Sequence, residues 1–368
     1  MVADSTSAAK KRNVRIMQAL LSVVVVVAIF GFALPKMADF SEVWVAIKAM
    51  SWVEVVTLLA ICVWNIVTYW FVMVASLPGL NYWQAMKVNQ TSTAIANTVP
   101  AGGAVGIGVT YAMLTSYGFS KPEISLSVIV TGVWNNFVKL AMPVVALALL
   151  ALAGDAGGAL TVSALIGLAM LAGAIGLFAM ILRSDRLARL VGERLGRLWS
   201  KLRGLVRRSP VTGWADSFSR FRTQTITLLA TRWVPVTVAT LFSHFSLYAV
   251  LLVSLRHVGV SENEVSWIQV LAAFAFIRLV SALPITPGGL GVVELGLTAA
   301  LIAAGGDREE VVAGVLVYRA LTYLLPIPFG ALTYVAWRRG AKRRAAERGE
   351  TAQSAQVDEP LTETAPRP

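Results

Sequence analysis

Six apolar runs recur along the chain, at 16–34, 52–77, 125–152, 160–182, 233–255 and 311–337. Each is about as long as the roughly 20 residues that an α-helix needs to cross a bilayer. Lipid offers backbone groups no water to bond, so only helices and closed barrels span it. Runs of this length read as helices. Of the residues 57% are hydrophobic and 14% charged, against roughly 25% charged in soluble domains. The fold class that follows is an all-α polytopic membrane protein.

The net charge of +12 raises nucleic acid as a partner. Lys and Arg lie beside or between the apolar runs, however, where the positive-inside rule puts them. Topology explains the charge, and no nucleic-acid partner is expected. Lys10, Lys11, Arg12 and Arg15 precede the first run, and Arg338, Arg339, Lys342, Arg343 and Arg344 follow the last. Both ends are therefore assigned to the cytoplasmic side: 1–15 as a basic N-terminus, 338–368 as a basic and then acidic, disordered tail. A cleaved signal peptide is the rival reading of 16–34. The segment 183–222 is the densest basic run, and Leu187, Leu190, Leu195, Leu198 and Leu202 recur in it at helical spacing. It reads as an amphipathic helix on the membrane surface. The only cysteine, Cys62, and two histidines, His244 and His257, are too few for a thiol or His-based metal cluster. No metal, cofactor or catalytic residue is assigned.

Two further apolar stretches are broken. At 279–297 the run LVSALPITPGGLGVVELGL carries Pro284, Pro287, Gly288, Gly289 and Gly291, with Arg278 and Glu294 flanking. At 99–108, VPAGGAVGIG carries Pro100, Gly102, Gly103 and Gly106 after the polar Asn89, Gln90, Thr93 and Asn97. Proline removes a donor and glycine disfavours helix, so such backbone survives at membrane depth only inside protein or against a watery cavity. Both stretches read as re-entrant hairpins. A last run that ends inside begins outside, so the hairpin at 265–304 opens outward and that at 81–115 inward. The chain thus divides into a first membrane repeat, 16–152, and an inverted second, 153–337, with 183–222 inserted. NTVPAGGAVG echoes SALPITPGGLG, and the following spans align so that Asn136 falls opposite Arg319. Broken helices in inverted repeats are a transporter plan with a site near the midplane.

If a half-helix starts near Val292, its free N–H groups make a positive pole that attracts an anion. Arg278 and Arg319 reinforce it, and arginine suits bidentate phosphate contacts. Glu294 can neutralise one arginine when the site is empty. Tyr318, Tyr323, Thr286 and Asn136 can supply neutral hydrogen bonds. The competing reading is an Arg–Glu pair that only pins helices together. Lys139 can snorkel or pair, and His244 reads as a packed helix residue. Neither Gly-rich loop carries the Gly-Lys-Ser/Thr ending of a nucleotide loop.

LPITPGGLGVVE, with Arg278 upstream and Tyr318-Arg319 in the next span, resembles the transmembrane, flippase-like domain of the lysylphosphatidylglycerol synthase family. VPAGGAVG followed by Tyr111 and the turn at 117–120 is also similar. The resemblance covers about residues 15–340 and implies a role in moving or exposing a lipid across the cytoplasmic membrane. Full-length synthases add a large soluble catalytic domain, whereas only a short polar stretch follows here, so aminoacyl transfer is not expected. The first motif also lacks a charge between Pro100 and Met113 that relatives often carry. The expectation is a non-enzymatic membrane protein that binds, and flips, an anionic phospholipid or polyprenyl-phosphate-type lipid. A small-solute or ion-coupled transporter, and a scaffold for a cell-envelope enzyme recruited through 183–222, remain alternatives.

Overall fold

The structure is a computed structural model that describes residues 39–99, 102–154, 158–204, 213–281 and 286–357. The first expected span at 16–34, the basic start, Pro100, Pro284 and the end of the tail lie outside the described residues. Among the described residues all regular structure is helical, and five helices are long and apolar enough to cross a membrane: Trp52–Ser76, Lys121–Leu152, Val162–Arg183, Trp214–His257 and Arg308–Ala341.

In chain order the helices are α1 (Phe40–Lys48), α2 (Trp52–Ser76), α3 (Tyr82–Thr98), α4 (Gly102–Ser116), α5 (Lys121–Leu152), α6 (Gly158–Arg183), α7 (Asp185–Gly204), α8 (Trp214–His257), α9 (Trp267–Val280), α10 (Val292–Ala303), α11 (Arg308–Arg319) and α12 (Pro326–Val357). Local sequence sets several starts. Ser51 with Glu54, Asn81 with Gln84, Ser120 with Glu123 and Ser266 with Gln269 form reciprocal caps that satisfy otherwise orphaned N–H groups. Asp307 caps α11 by accepting from the Glu309 and Glu310 amides.

α3 and α4 form one antiparallel hairpin, α9 and α10 the other. With 17, 15, 14 and 12 residues, these helices are about 26, 22, 21 and 18 Å long, each short of the roughly 30 Å hydrocarbon core. The first hairpin closes on glycine. A Cβ on Gly102 would run into the Ala96 backbone, and one on Gly106 would lie 2.9 Å from the Ser92 carbonyl oxygen, whereas Gly103 faces open space.

The hairpins are exchanged between the two halves. α3 packs along α12, with Gly330 against the Gln90 backbone and Thr91 3.0 Å from Thr333 between hydroxyls. α9 packs along α5. Between them α2 and α8 cross, joined by a hydrogen bond from Asn65 Nδ2 to Ser246 Oγ at 2.8 Å. Leu251, Leu255, Phe274, Leu297, Leu301 and Val311 fill the core shared by α8 to α11, while Val88, Met113, Leu114 and Ile124 fill that under α3 to α5.

Two elements differ from the sequence reading. The basic segment 183–222 is not one helix: α7 is described over Asp185–Gly204, Gly213 has a φ of 79°, and 214–222 is already the start of α8, which continues unbroken into the span. Gly192 and Gly196 of α7 seat against Trp214 and Phe218 of α8, leaving Leu195, Leu198 and Trp199 exposed. The run 311–337 is also not one α-helix. A π turn at Ala320–Leu324 interrupts it, and the Leu325 amide donates back to the Ala320 carbonyl at 2.9 Å. Pro326 supplies the reason, since its ring cannot sit against the carbonyl one α-turn back.

Candidate functional site

The interruption on the second hairpin is a tight turn. Pro287–Gly289 forms a single 3₁₀ turn, and Gly288, Gly289 and Gly291 have φ of 58°, 69° and 84°. Side-chain-bearing residues rarely adopt these angles. Thr286 is buried and donates to the Leu290 carbonyl at 2.8 Å, so it ties the turn together.

Glu294, in the first turn of α10, is 1% exposed. One carboxylate oxygen accepts from the Gly291 amide at 2.7 Å, capping α10, and the other accepts from Arg319 Nε at 2.7 Å. The dipole of α10 favours a carboxylate there. Arg319 comes from the last turn of α11, and its Nη2 donates to the Gly288 carbonyl at 3.2 Å. Its guanidinium also lies 4.6 Å from the centroid of the Tyr323 ring, within cation–π range. The π turn puts Tyr323 at that place.

Tyr323 links the two hairpins. Its hydroxyl donates to the Asn97 carbonyl at 2.6 Å, and Asn97 Nδ2 donates to the Tyr323 carbonyl at 3.1 Å. A Cβ on Gly288 would lie 2.5 Å from the Tyr323 ring and 2.9 Å from Asn97 Oδ1. The tips of the broken hairpins therefore meet, one at Asn97 and the other at Gly288, with Arg319 and Tyr323 between them.

Above this junction is a cavity of about 320 Å³. Asn97, Arg278, Gly288, Tyr318, Arg319 and Tyr323 line it, as the sequence suggested for a common site. Lys139 of α5 joins them, with Asn65 and Tyr69 of α2 and Asn89, Gln90 and Thr93 of α3. The α3 residues stood out as polar in an apolar context, and Asn65 carries the same signal; Tyr69 carries none. Gly289, Gly291 and Thr286 shape the turn, and Glu294 acts on the cavity through Arg319. Gly102 and Gly106 close the first hairpin, Gly103 is exposed, and Pro287 belongs to the turn.

Asn136 departs from expectation. It is exposed, and its Nδ2 donates to the Gly132 carbonyl of its own helix at 2.9 Å, so it is not in the cavity. The alignment of the two halves sets its height along α5, but packing against α9 sets the rotation of α5, and that turns Lys139 inward instead.

Among the described residues, the side chains of Lys139 and Arg278 have no acceptor or carboxylate partner, and Arg278 Nε is buried without one. Elsewhere α5, α8 and α9 form an open apolar groove of about 520 Å³ lined by Val138, Met142, Phe242, His244, Tyr248 and Leu271, with Phe242 exposed. His244 Nδ1 sits 3.0 Å from the Thr240 carbonyl, which makes that nitrogen the donor, as befits a packed helix residue.

Among curated proteins none matches the chain. The model of the family described as the lysylphosphatidylglycerol synthase TM region matches residues 19–330, a stretch that contains both hairpins and the cavity between them, and the chain belongs to that family.

Proposed function

We propose that the protein binds an anionic lipid headgroup where its two broken hairpins meet and moves that lipid, or gates its exposure, across the cytoplasmic membrane, with no bond-making chemistry of its own. The observation that carries this reading is Arg319, held by Glu294, Gly288 and Tyr323 at the wall of a polar cavity. An arginine in that position offers a phosphate its fork of donors, and Glu294 keeps it neutralised when no anion is bound.

Two hairpins re-entering from opposite faces, as an inverted repeat, fit the exchange of α3 onto α12 and α9 onto α5. In this topology the basic residues 10–15 and 338–344 fall on the cytoplasmic side together with the arginines of α7. With Leu195, Leu198 and Trp199 exposed next to its basic face, α7 is suited to lie on anionic headgroups. Membership of a family named for a lipid-modifying synthase supports a lipid-related role.

The test is reconstitution in liposomes with a labelled anionic phospholipid. The wild-type protein accelerates transbilayer movement, and Arg319→Ala slows it by about tenfold or more, the loss of about 1.4 kcal/mol or more at a charged contact. Transbilayer movement no faster than in empty liposomes, or wild-type rates from Arg319→Ala, overturns the proposal.

A further inference from the structure

The cavity's charge does not balance. Lys139, Arg278 and Arg319 line it, and among the described residues the one carboxylate bonded to any of them is Glu294, on Arg319. That pair leaves Lys139 and Arg278 over, both facing the same cavity from helices that pack together. Among the described residues no acidic side chain lines the cavity. Charges at membrane depth are costly and are normally paired, so two uncompensated cations on facing helices, α5 and α9, describe a site complete only with its ligand.

We propose that the cavity is charge-matched to a dianionic phosphate, a phosphomonoester or diphosphate headgroup, in preference to a singly charged phosphodiester. This inference rests on the lipid-binding reading above and specifies its headgroup. Lys139 and Arg278 each neutralise one charge, and the Arg278 Nε that lacks a partner becomes a donor to a phosphate oxygen. Glu294 still balances the charge of Arg319 whether or not the phosphate shares that arginine, so the complex is neutral overall. A phosphodiester leaves one cation unpaired; a zwitterionic headgroup leaves that same cation unpaired and brings a further positive charge against it. The neutral donors of Asn89, Gln90 and Thr93 on α3 can bond the remaining oxygens. The open apolar groove of α5, α8 and α9 includes Val138 and Met142 of the same helix as Lys139, so apolar surface for a hydrocarbon chain is carried by the helix that carries this cation, which favours a lipid over free phosphate.

The experiment is ligand binding to the intact protein in nanodiscs of zwitterionic lipid at pH 7, where a phosphomonoester, with its second pKa near 6, is mostly doubly charged. Three probes are compared: phosphatidic acid, phosphatidylglycerol with the same acyl chains, and inorganic pyrophosphate. Phosphatidic acid is expected to bind about tenfold more tightly than phosphatidylglycerol. Lys139→Gln and Arg278→Gln each bring that ratio close to one, while Arg278→Lys, which keeps the charge and guards against a folding artefact, preserves it. Pyrophosphate is expected to bind more weakly than phosphatidic acid and to compete with it.

Equal binding of the two lipids, or a ratio unchanged in both Gln variants, overturns the dianion inference and leaves the lipid reading intact. Binding of pyrophosphate as tight as that of phosphatidic acid overturns the lipid source and leaves the charge match. Binding of none of the probes overturns both.

Discussion

Glu294→Gln separates a binding device from a mere structural clamp. The change removes one charge and almost no volume. Gln still accepts from the Gly291 amide, so the cap on α10 survives, but Arg319 loses its carboxylate. Stranding one partner of a buried ion pair costs about 3–5 kcal/mol. The Glu294 side chain is 1% exposed and that of Arg319 12%, so solvent screens little of the loss. Arg319 keeps the Gly288 carbonyl and the Tyr323 ring, which places the cost near the lower end, about 3 kcal/mol. At about 2–4 °C per kcal/mol for large chains, the variant melts about 6–12 °C below wild type in zwitterionic detergent. The double variant Glu294→Gln/Arg319→Gln strands no charge and melts above the single one. An anionic phospholipid added to both proteins raises the melting temperature of Glu294→Gln more than that of wild type, because the phosphate takes the place of the missing carboxylate. A melting temperature within about 1 °C of wild type refutes the pairing energetics. An equal lipid-induced rise in both proteins refutes the role of Glu294 as the anion's stand-in.

Two further outcomes follow from packing and charge. Gly102→Ala drives a Cβ into the Ala96 backbone and lowers stability by about 1–3 kcal/mol, whereas Gly103→Ala, facing open space, is neutral or stabilising by at most about 1 kcal/mol; thermal melting of the pair checks this. The Asp185 carboxyl, at the start of α7, is held below the usual carboxylate range by the Ser219 hydroxyl and then by Arg189. A depressed folded value means that its contribution is complete above the unfolded value of about 3.9 and is lost as pH falls through the lower folded one. Hydrogen exchange of 185–204 should therefore quicken below about pH 4 in wild type, and Asp185→Asn should show the quickened exchange already at neutral pH.

The spans were legible because lipid leaves one kind of backbone open to a long apolar run, and composition alone identifies such runs. The break at 286–291 was legible for the same reason, since proline and glycine cannot continue a helix unnoticed. The π turn after Arg319 had its signal in Pro326, yet a proline near a run's middle is also compatible with a simple kink. The extension of α8 back to Trp214 was hidden by the arginines at 220 and 222, which read as the end of the surface helix over 183–222, whereas a helix projecting beyond the bilayer carries charge freely.

By itself, the sequence determined an all-helical membrane chain, where its helices break, and which ionisable groups interrupt or flank its apolar runs: Arg278, Glu294, Arg319 and Lys139. Each of these follows from local chemistry, the expense of exposed backbone and of charge in hydrocarbon. Only the tertiary structure decided that Arg319 takes Glu294, 25 residues away, that Asn97 bonds Tyr323 across 226 residues, and that Lys139 rather than Asn136 turns inward. Those choices depend on the rotation of each helix about its own axis, which is set by the packing of α5 on α9 and α3 on α12. One helical position is about 100° of rotation, so a shift that leaves every span intact would empty the cavity of its charges.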